Sequence, residues 1–366
     1  MPANPPSNVQ KAPSFNRATR QAIIPAGSFS YIPGAPSQIQ LPQVGLLANL
    51  WLAISATFTT ASTGTYTIVD GPIPNPYGLI NRVRLFTNEG NEIINVSAAG
   101  LYLLQRIQRS SYDPRNPLAS LGSTNTAKAV YNAPTMTTST TYTINFNFQI
   151  PVAWGAQLQA GLILLQNNFT RITAELTFND GTVSGNMITL GGTTPSISAL
   201  SVSATLLMEI FNLPASTDSY PDLSKILIQR EDLQPVVNTG QMTYNPVLGN
   251  TYLDWIMQFE NNGARMVPAN FSQLQLVYSQ TQAVYNMDIP SFLARTRELL
   301  GNIDLPDGVF WWPMSDGFGL PEVGNTRDSI NSKLLTALQL ITTIGTGVSL
   351  VNAQVRVISR QLADIA

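Results

Sequence analysis

The residues best placed to do chemistry are the acids Glu298, Asp304 and Asp307, followed closely by Trp311 and Trp312. Two carboxylates flanking one glycosidic bond can share acid, base or nucleophile roles, and a tryptophan pair can stack a sugar ring. The same residues also read as loop caps and core. Neighbours on a strand face opposite sides, which puts one tryptophan inside and the other under an adjoining layer. Histidine and cysteine are both absent. That excludes a histidine base, thiolate chemistry, disulfides and zinc held by imidazole or thiolate. Gly181, Gly185, Gly191 and Gly192 lack the spacing and the following lysine of a phosphate loop. Asn95-Val96-Ser97, Asn168-Phe169-Thr170 and Asn270-Phe271-Ser272 fit the glycosylation pattern at the frequency that an Asn-, Ser- and Thr-rich chain produces by chance. No catalytic, cofactor or metal site is expected.

The elements around these residues form two sets. Residues 81–106 and 272–297 superpose without a gap at an offset of 191. Val83 meets Leu274, Leu85 meets Leu276, Phe86 meets Val277, Ile93 meets Val284, Ile94 meets Tyr285 and Asn95 meets Asn286. The shared pattern is strand, tight turn, short strand, then a helix entered through Ser97 or Asp288, each with an oxygen for unpaired N–H groups of the first turn. Pro290 falls in that first turn, where its missing N–H costs little. The chain therefore reads as two copies of one β-rich unit.

With 366 residues, each copy is large enough to bury its own core. Charged residues make up 11%, against about 25% in an ordinary soluble domain, and the net charge is −2. A large surface with so few charges resists association poorly, which suits a protein covered by copies of itself. No apolar run approaches a membrane span, the longest lying around Leu162–Leu165. The start is Pro-rich and polar, unlike a signal peptide. It carries Lys11, Arg17 and Arg20, with no acid before Asp70. Three charges are too few for a nucleic-acid-packaging arm, so residues 1–22 are expected to form an arm reaching a neighbour or an anionic membrane face.

Residues 23–212 form the first unit. The run 23–41 is extended, and Leu50 to Phe58 alternates with Trp51 on the other face. A surface excursion over 110–140 carries a short strand near 127–131. Tyr142, Ile144, Phe146, Phe148 and Ile150 then alternate perfectly with polar residues. Trp154, Leu158, Leu162 and Leu165 recur at helical spacing, although Gly155 and Gly161 weaken that helix. Strands at 172–178 and 199–211 complete about eight, the count of a jelly roll. Residues 213–225 are a linker. The second unit, 226–366, has strands at 253–259, in the repeat, at 308–314, and in runs at 334–342 and 348–358. One of its eight strands is not obvious.

The segments NPYGLINRVRLFTNEGNE (75–92), TYTINFNFQIPVAWGAQLQAGLILLQNNFTRITAELTFND (141–180) and LPDGVFWWPMSDGFG (305–319) resemble the double jelly-roll major capsid proteins. The likeness includes a helix after the fourth strand and another before the seventh. Those of the tectiviruses, tailless phages with an internal membrane, are the nearest in kind. The resemblance implies an all-β chain with a few short helices, folded as two tandem eight-stranded jelly rolls. It further implies a homotrimer with six rolls, tiling an icosahedral shell in the virion after assembly in the host cytoplasm. Neighbouring trimers and minor vertex or penton proteins are its partners. Lys11, Arg17 and Arg20 match, by position and charge, an arm beneath the shell near the membrane. A Pro-rich start replaces the longer amphipathic helix of many relatives, and the excursions at 110–140 and 180–196 are too short for tall towers. The alternative is a secreted two-domain β-sandwich that binds or hydrolyses carbohydrate. Interposed helices and prolines disfavour an outer-membrane barrel.

Overall fold

Residues Thr141–Pro151 show how the strands arise. Ile144, Phe146, Phe148 and Ile150 alternate with Thr, Asn and Gln, and branched or aromatic side chains suit a pleated, half-buried surface. In the computed structural model each of the four is at most 2% exposed. The structure describes residues 15–61, 65–68, 75–108, 136–137, 141–154, 160–167, 169, 171–188, 190–191, 196–216, 219–221, 223–279, 282–301, 304–314 and 329–364.

The first roll comprises β1 (Gln21–Phe29), β2 (Pro36–Gln40), β3 (Leu46–Thr60), β4 (Ile80–Thr87), β5 (Glu92–Val96), β6 (Thr141–Pro151), β7 (Ile172–Phe178) and β8 (Ile197–Phe211). One sheet runs β1-β8-β3-β6 and the facing one β2-β7-β4-β5, all antiparallel. The second roll comprises β9 (Lys225–Pro235), β10 (Gly240–Tyr244), β11 (Thr251–Asn261), β12 (Phe271–Tyr278), β13 (Gln282–Asp288), β14 (Val309–Pro313), β15 (Leu338–Ile344) and β16 (Gln354–Asp364). Its sheets run β9-β16-β11-β14 and β10-β15-β12-β13. Adding eight to each label of the first roll gives the second.

The repeat keeps its spacing to the residue. Strand β4 and the 3-10 turn Tyr77–Leu79 recur 191 positions later as β12 and Pro268–Asn270. Helix α2 (Ala98–Gln108) recurs at the same offset as α3 (Ile289–Leu299); α1 is the short helix Phe15–Ala18. Both caps form: Ser97 Oγ accepts from Gly100 N–H at 3.2 Å, and Asp288 Oδ1 accepts from Ser291 N–H at 3.0 Å.

The rolls are joined edge to edge. Strands β5 and β9 pair in parallel, Ile94 beside Gln229 and Asn95 beside Arg230, so both rolls point the same way. On the joined sheet, Trp255, Met257, Phe310, Trp312, Val355 and Val357 face the second roll's own core. The intervening Ile256, Val309, Trp311 and Ile358 pack into the first roll's core. Strands β11, β14 and β16 are thus buried on both faces, whereas β9 keeps Arg230, Asp232 and Leu233 exposed.

The expected helix across Trp154–Leu165 is not there among the described residues. Trp154 and Ala160 form a β-bridge, and Ile163–Leu164 is a two-residue strand against β3. Gly161 sits at φ +91°, where a Cβ would lie 2.9 Å from the Leu227 backbone nitrogen; such a residue breaks a helix. Among the described residues, the long helix of each roll follows the fifth strand rather than the fourth. The strand missing from the sequence reading is Gly240–Tyr244, too short to show a period. The last two strands lie a few residues beyond the expected runs, and Val351 is exposed rather than in line with Val355 and Val357. The short strand expected near 127–131 lies outside the described residues.

Candidate assembly surfaces

The seam between the rolls carries the polar chemistry. Positions that alternate out of the second core on β9, β11 and β16 include Gln229, Glu231, Asp254, Gln258, Arg356 and Arg360, all turned toward the first roll. Arg360 Nε donates to Asp254 Oδ1 at 2.8 Å, a second guanidinium N–H reaches Oδ2, and Trp311 Nε1 donates to Oδ2 at 2.9 Å. The Trp154 ring lies 4.2 Å from the Arg360 guanidinium carbon. Higher up, Arg356 Nη1 bridges Glu231 Oε1 at 2.5 Å and Ser97 Oγ at 2.8 Å, while Ser97 N–H donates to Glu231 Oε2 at 2.7 Å. Every carboxylate and guanidinium of this seam therefore has an opposite charge beside it, the condition for burying charge at all. Sequence reasoning missed this seam. Its signal was charge at mid-strand positions in a chain with 11% charged residues.

The outer faces of the first roll differ. On β2-β7-β4-β5, Arg84 pairs with Glu92 at 2.5 Å and Glu175 at 2.8 Å, Gln38 donates to Glu175, and Arg82 donates to Asn95. Hydrogen bonds from Asn95 and Arg84 hold the Glu92 carboxyl below its usual range against the opposing effect of burial. On β1-β8-β3-β6 the outward residues are uncharged, with hydroxyl pairs Thr57–Thr143 and Thr59–Thr141 at 3.0 Å. Glu209 is the exception, and it accepts from Asn49 Nδ2 at 3.1 Å and Trp51 Nε1 at 3.0 Å.

One end of the molecule collects α1, the loops at 41–45, 88–91 and 245–250, and the starts of β1 and β9, because the parallel rolls place these turns together. Phe169 (88% exposed), Leu334 (82%), Val247 (67%), Leu248 and Val44 stand out from it. Arg17 and Arg20 are exposed there with Arg171 and Lys333. Phe15 packs edge-on against Phe211 at 5.3 Å, and Arg20 and Asn212 exchange backbone-anchored hydrogen bonds. Lys11 lies outside the described residues. Lys225 and Lys333 both bond the Asp364 carboxylate and depress it to about 2.

The candidate sugar site does not assemble. Trp311 and Trp312 are 4% and 1% exposed, one in each core, so neither offers a ring to a ligand. Asp304 pairs loosely with Arg297 at 3.6 Å, both largely exposed. Among the described residues no group of three His, Cys, Asp or Glu could hold a metal, and no helix is long and apolar enough to cross a membrane.

No family model matches the chain, and no curated protein does. Solved structures match along nearly its full length. The structure of Sulfolobus turreted icosahedral virus aligns with a TM-score of 0.66 at 10% identity, over 94% of this chain and 90% of that one. The capsid of the PBCV-1 virus aligns with a TM-score of 0.61 at 9% identity, over 94% of each chain. The major capsid protein P2 of bacteriophage PM2 aligns with a TM-score of 0.51 at 9% identity, over 95% of this chain and 98% of that one. At such identities the likeness carries the architecture, and the chain has the double jelly-roll fold.

Proposed function

We propose that this chain is a structural major capsid subunit, whose work is to associate with copies of itself. The observation that carries the reading is the full-length likeness to capsid structures of a chain built from two equally wired, parallel rolls. Three such chains give six rolls around an axis, a pseudo-hexagonal tile, and many modest contacts between tiles add up to a closed icosahedral shell. A six-roll tile does not fit a five-fold position, so a separate vertex protein completes the shell. The end bearing Arg17, Arg20, Phe169, Leu334 and Val247 faces inward, where basic and apolar side chains suit an anionic membrane surface. Lys11 adds a third positive charge to that end of the sequence, and a shell over an internal membrane would match a tectivirus-like virion.

Light scattering on the purified chain is expected to give three chain masses, and electron microscopy of concentrated protein to show hexagonal tiles or shells. A stable monomer at micromolar concentration would sink the reading. Removing residues 1–20 is expected to leave the trimer intact and to abolish binding to anionic vesicles.

A further inference from the structure

We infer that the outer face of the β1-β8-β3-β6 sheet is the seat of a second copy of this chain; this rests on the self-associating function proposed above. The face is legible from the strand registers. Ile23, Pro25 and Ser28 of β1 stand beside Glu209, Leu207 and Thr205 of β8, and Glu209, Leu207, Thr205, Ser203 and Ser201 beside Asn49, Trp51, Ala53, Ser55 and Thr57 of β3. Odd positions of β3 and β8 point outward because the even ones, Leu50 to Phe58 and Ala204 to Ile210, fill the core.

Three properties make this a protein-binding surface rather than a solvated one. The first is charge. Of the outward residues on β3 and β8 only Glu209 is ionisable, and its carboxylate already accepts two hydrogen bonds from its own sheet. The equivalent face of the opposite sheet carries Arg82, Arg84, Glu92 and Glu175. Charge depletion at the centre marks an interface. The second is layout. Ile23, 60% exposed, Pro25, Leu207, Trp51 and Ala53 form an apolar patch, and hydroxyls of Ser55, Thr57, Ser201 and Ser203 border it. A tryptophan-centred apolar patch with a polar border is the layout of a binding hot spot. The short side chains of Ala53, Ser55, Thr57, Ser201 and Ser203 lose little rotamer entropy when covered. The third is size. Strands β3 and β8 have 15 residues each; at about 3.4 Å per residue, and with four strands about 4.8 Å apart, the face spans roughly 800 Å². That is about what each partner buries in a stable complex.

The test uses the full chain. Ala53→Arg combined with Ser203→Arg places two like charges on exposed backbone positions of adjacent strands, and light scattering is expected to fall from the wild-type oligomer to one chain mass. Circular dichroism reports that the variant stays folded. Because the chain has no cysteine, Ala53→Cys gives a single thiol, expected to react with a maleimide at least tenfold more slowly in the native oligomer than in urea. If the double-Arg variant keeps the wild-type mass and the introduced thiol reacts freely, the face is not the seat, while the oligomer still stands. A wild-type monomer overturns both proposals. If deleting residues 1–14 exposes that thiol without changing the mass, the chain's own arm covers the face instead of a second copy.

Discussion

Helices α2 and α3 occupy the same place in the repeat, 191 residues apart, yet they live in different surroundings. From Ala98 to Ile107 every residue of α2 but Arg106 is buried, because the helix lies between its own roll and the second roll's sheet. Helix α3 buries Ile289, Phe292 and Thr296 and leaves Pro290, Ser291, Ala294, Arg297 and Glu298 in solvent. The caps follow suit. Asp288 serves α3 alone, whereas the Ser97 hydroxyl also takes a hydrogen bond from Arg356, and its N–H meets Glu231. An aspartate at 97 would set two carboxylates together with little water to screen them. One local program thus yields a solvent-facing helix at the outer copy and an interlocking part at the inner one.

The two helices should part most widely at the ion pair. Arg356→Ala leaves Glu231 buried without its partner, and a loss of about 3–5 kcal/mol is expected in urea unfolding. Arg297→Ala, which removes only the exposed pair with Asp304, is expected to leave the midpoint unchanged. Equal effects would show that the seam does not couple the rolls.

Gly100→Ala comes next. In a solvent-facing helix the change is usually favourable, but here the new Cβ would sit 2.6 Å from Glu231 Oε2, a carboxylate held in place by Ser97 and Arg356. A destabilisation of about 1–3 kcal/mol is expected from overpacking. Ser291→Ala, the matching change on α3, is expected to be nearly silent; a gain in stability from Gly100→Ala would mean the rolls sit further apart.

Ser97→Ala removes a cap and one acceptor of Arg356, and a loss of about 1–2 kcal/mol is expected. The smallest effect separates the caps by pH. Hydrogen bonds from the Ser291 hydroxyl and backbone N–H hold the Asp288 carboxyl below its usual range. A depressed carboxyl contributes stability above its unfolded value and loses it as pH falls through the folded one. The first turn of α3 is therefore expected to lose hydrogen-exchange protection below about pH 4, and Asp288→Asn to make that protection flat with pH. The Ser97 hydroxyl does not titrate, so a parallel loss at α2 would argue against the assignment.

Features that depend on neighbours along the chain were legible before any fold was known. Period-two alternation marked β3, β6, β7 and β11, the 191-residue offset marked the repeat, and Ser97 and Asp288 marked where its helices begin. What covers each face was set by packing between distant segments. Asp254, Ile256 and Gln258 alternate with core residues as a solvent face would, yet all three are at most 1% exposed against the first roll. Alternation reports that a strand has two sides; whether the second meets water or another layer depends on residues far away in the chain. Trp311 and Trp312 followed the same rule, one side chain entering each core. The spacing of Trp154, Leu158, Leu162 and Leu165 misled for a related reason: the backbone at Gly161 is set by its close approach to Leu227, a contact the local sequence does not encode.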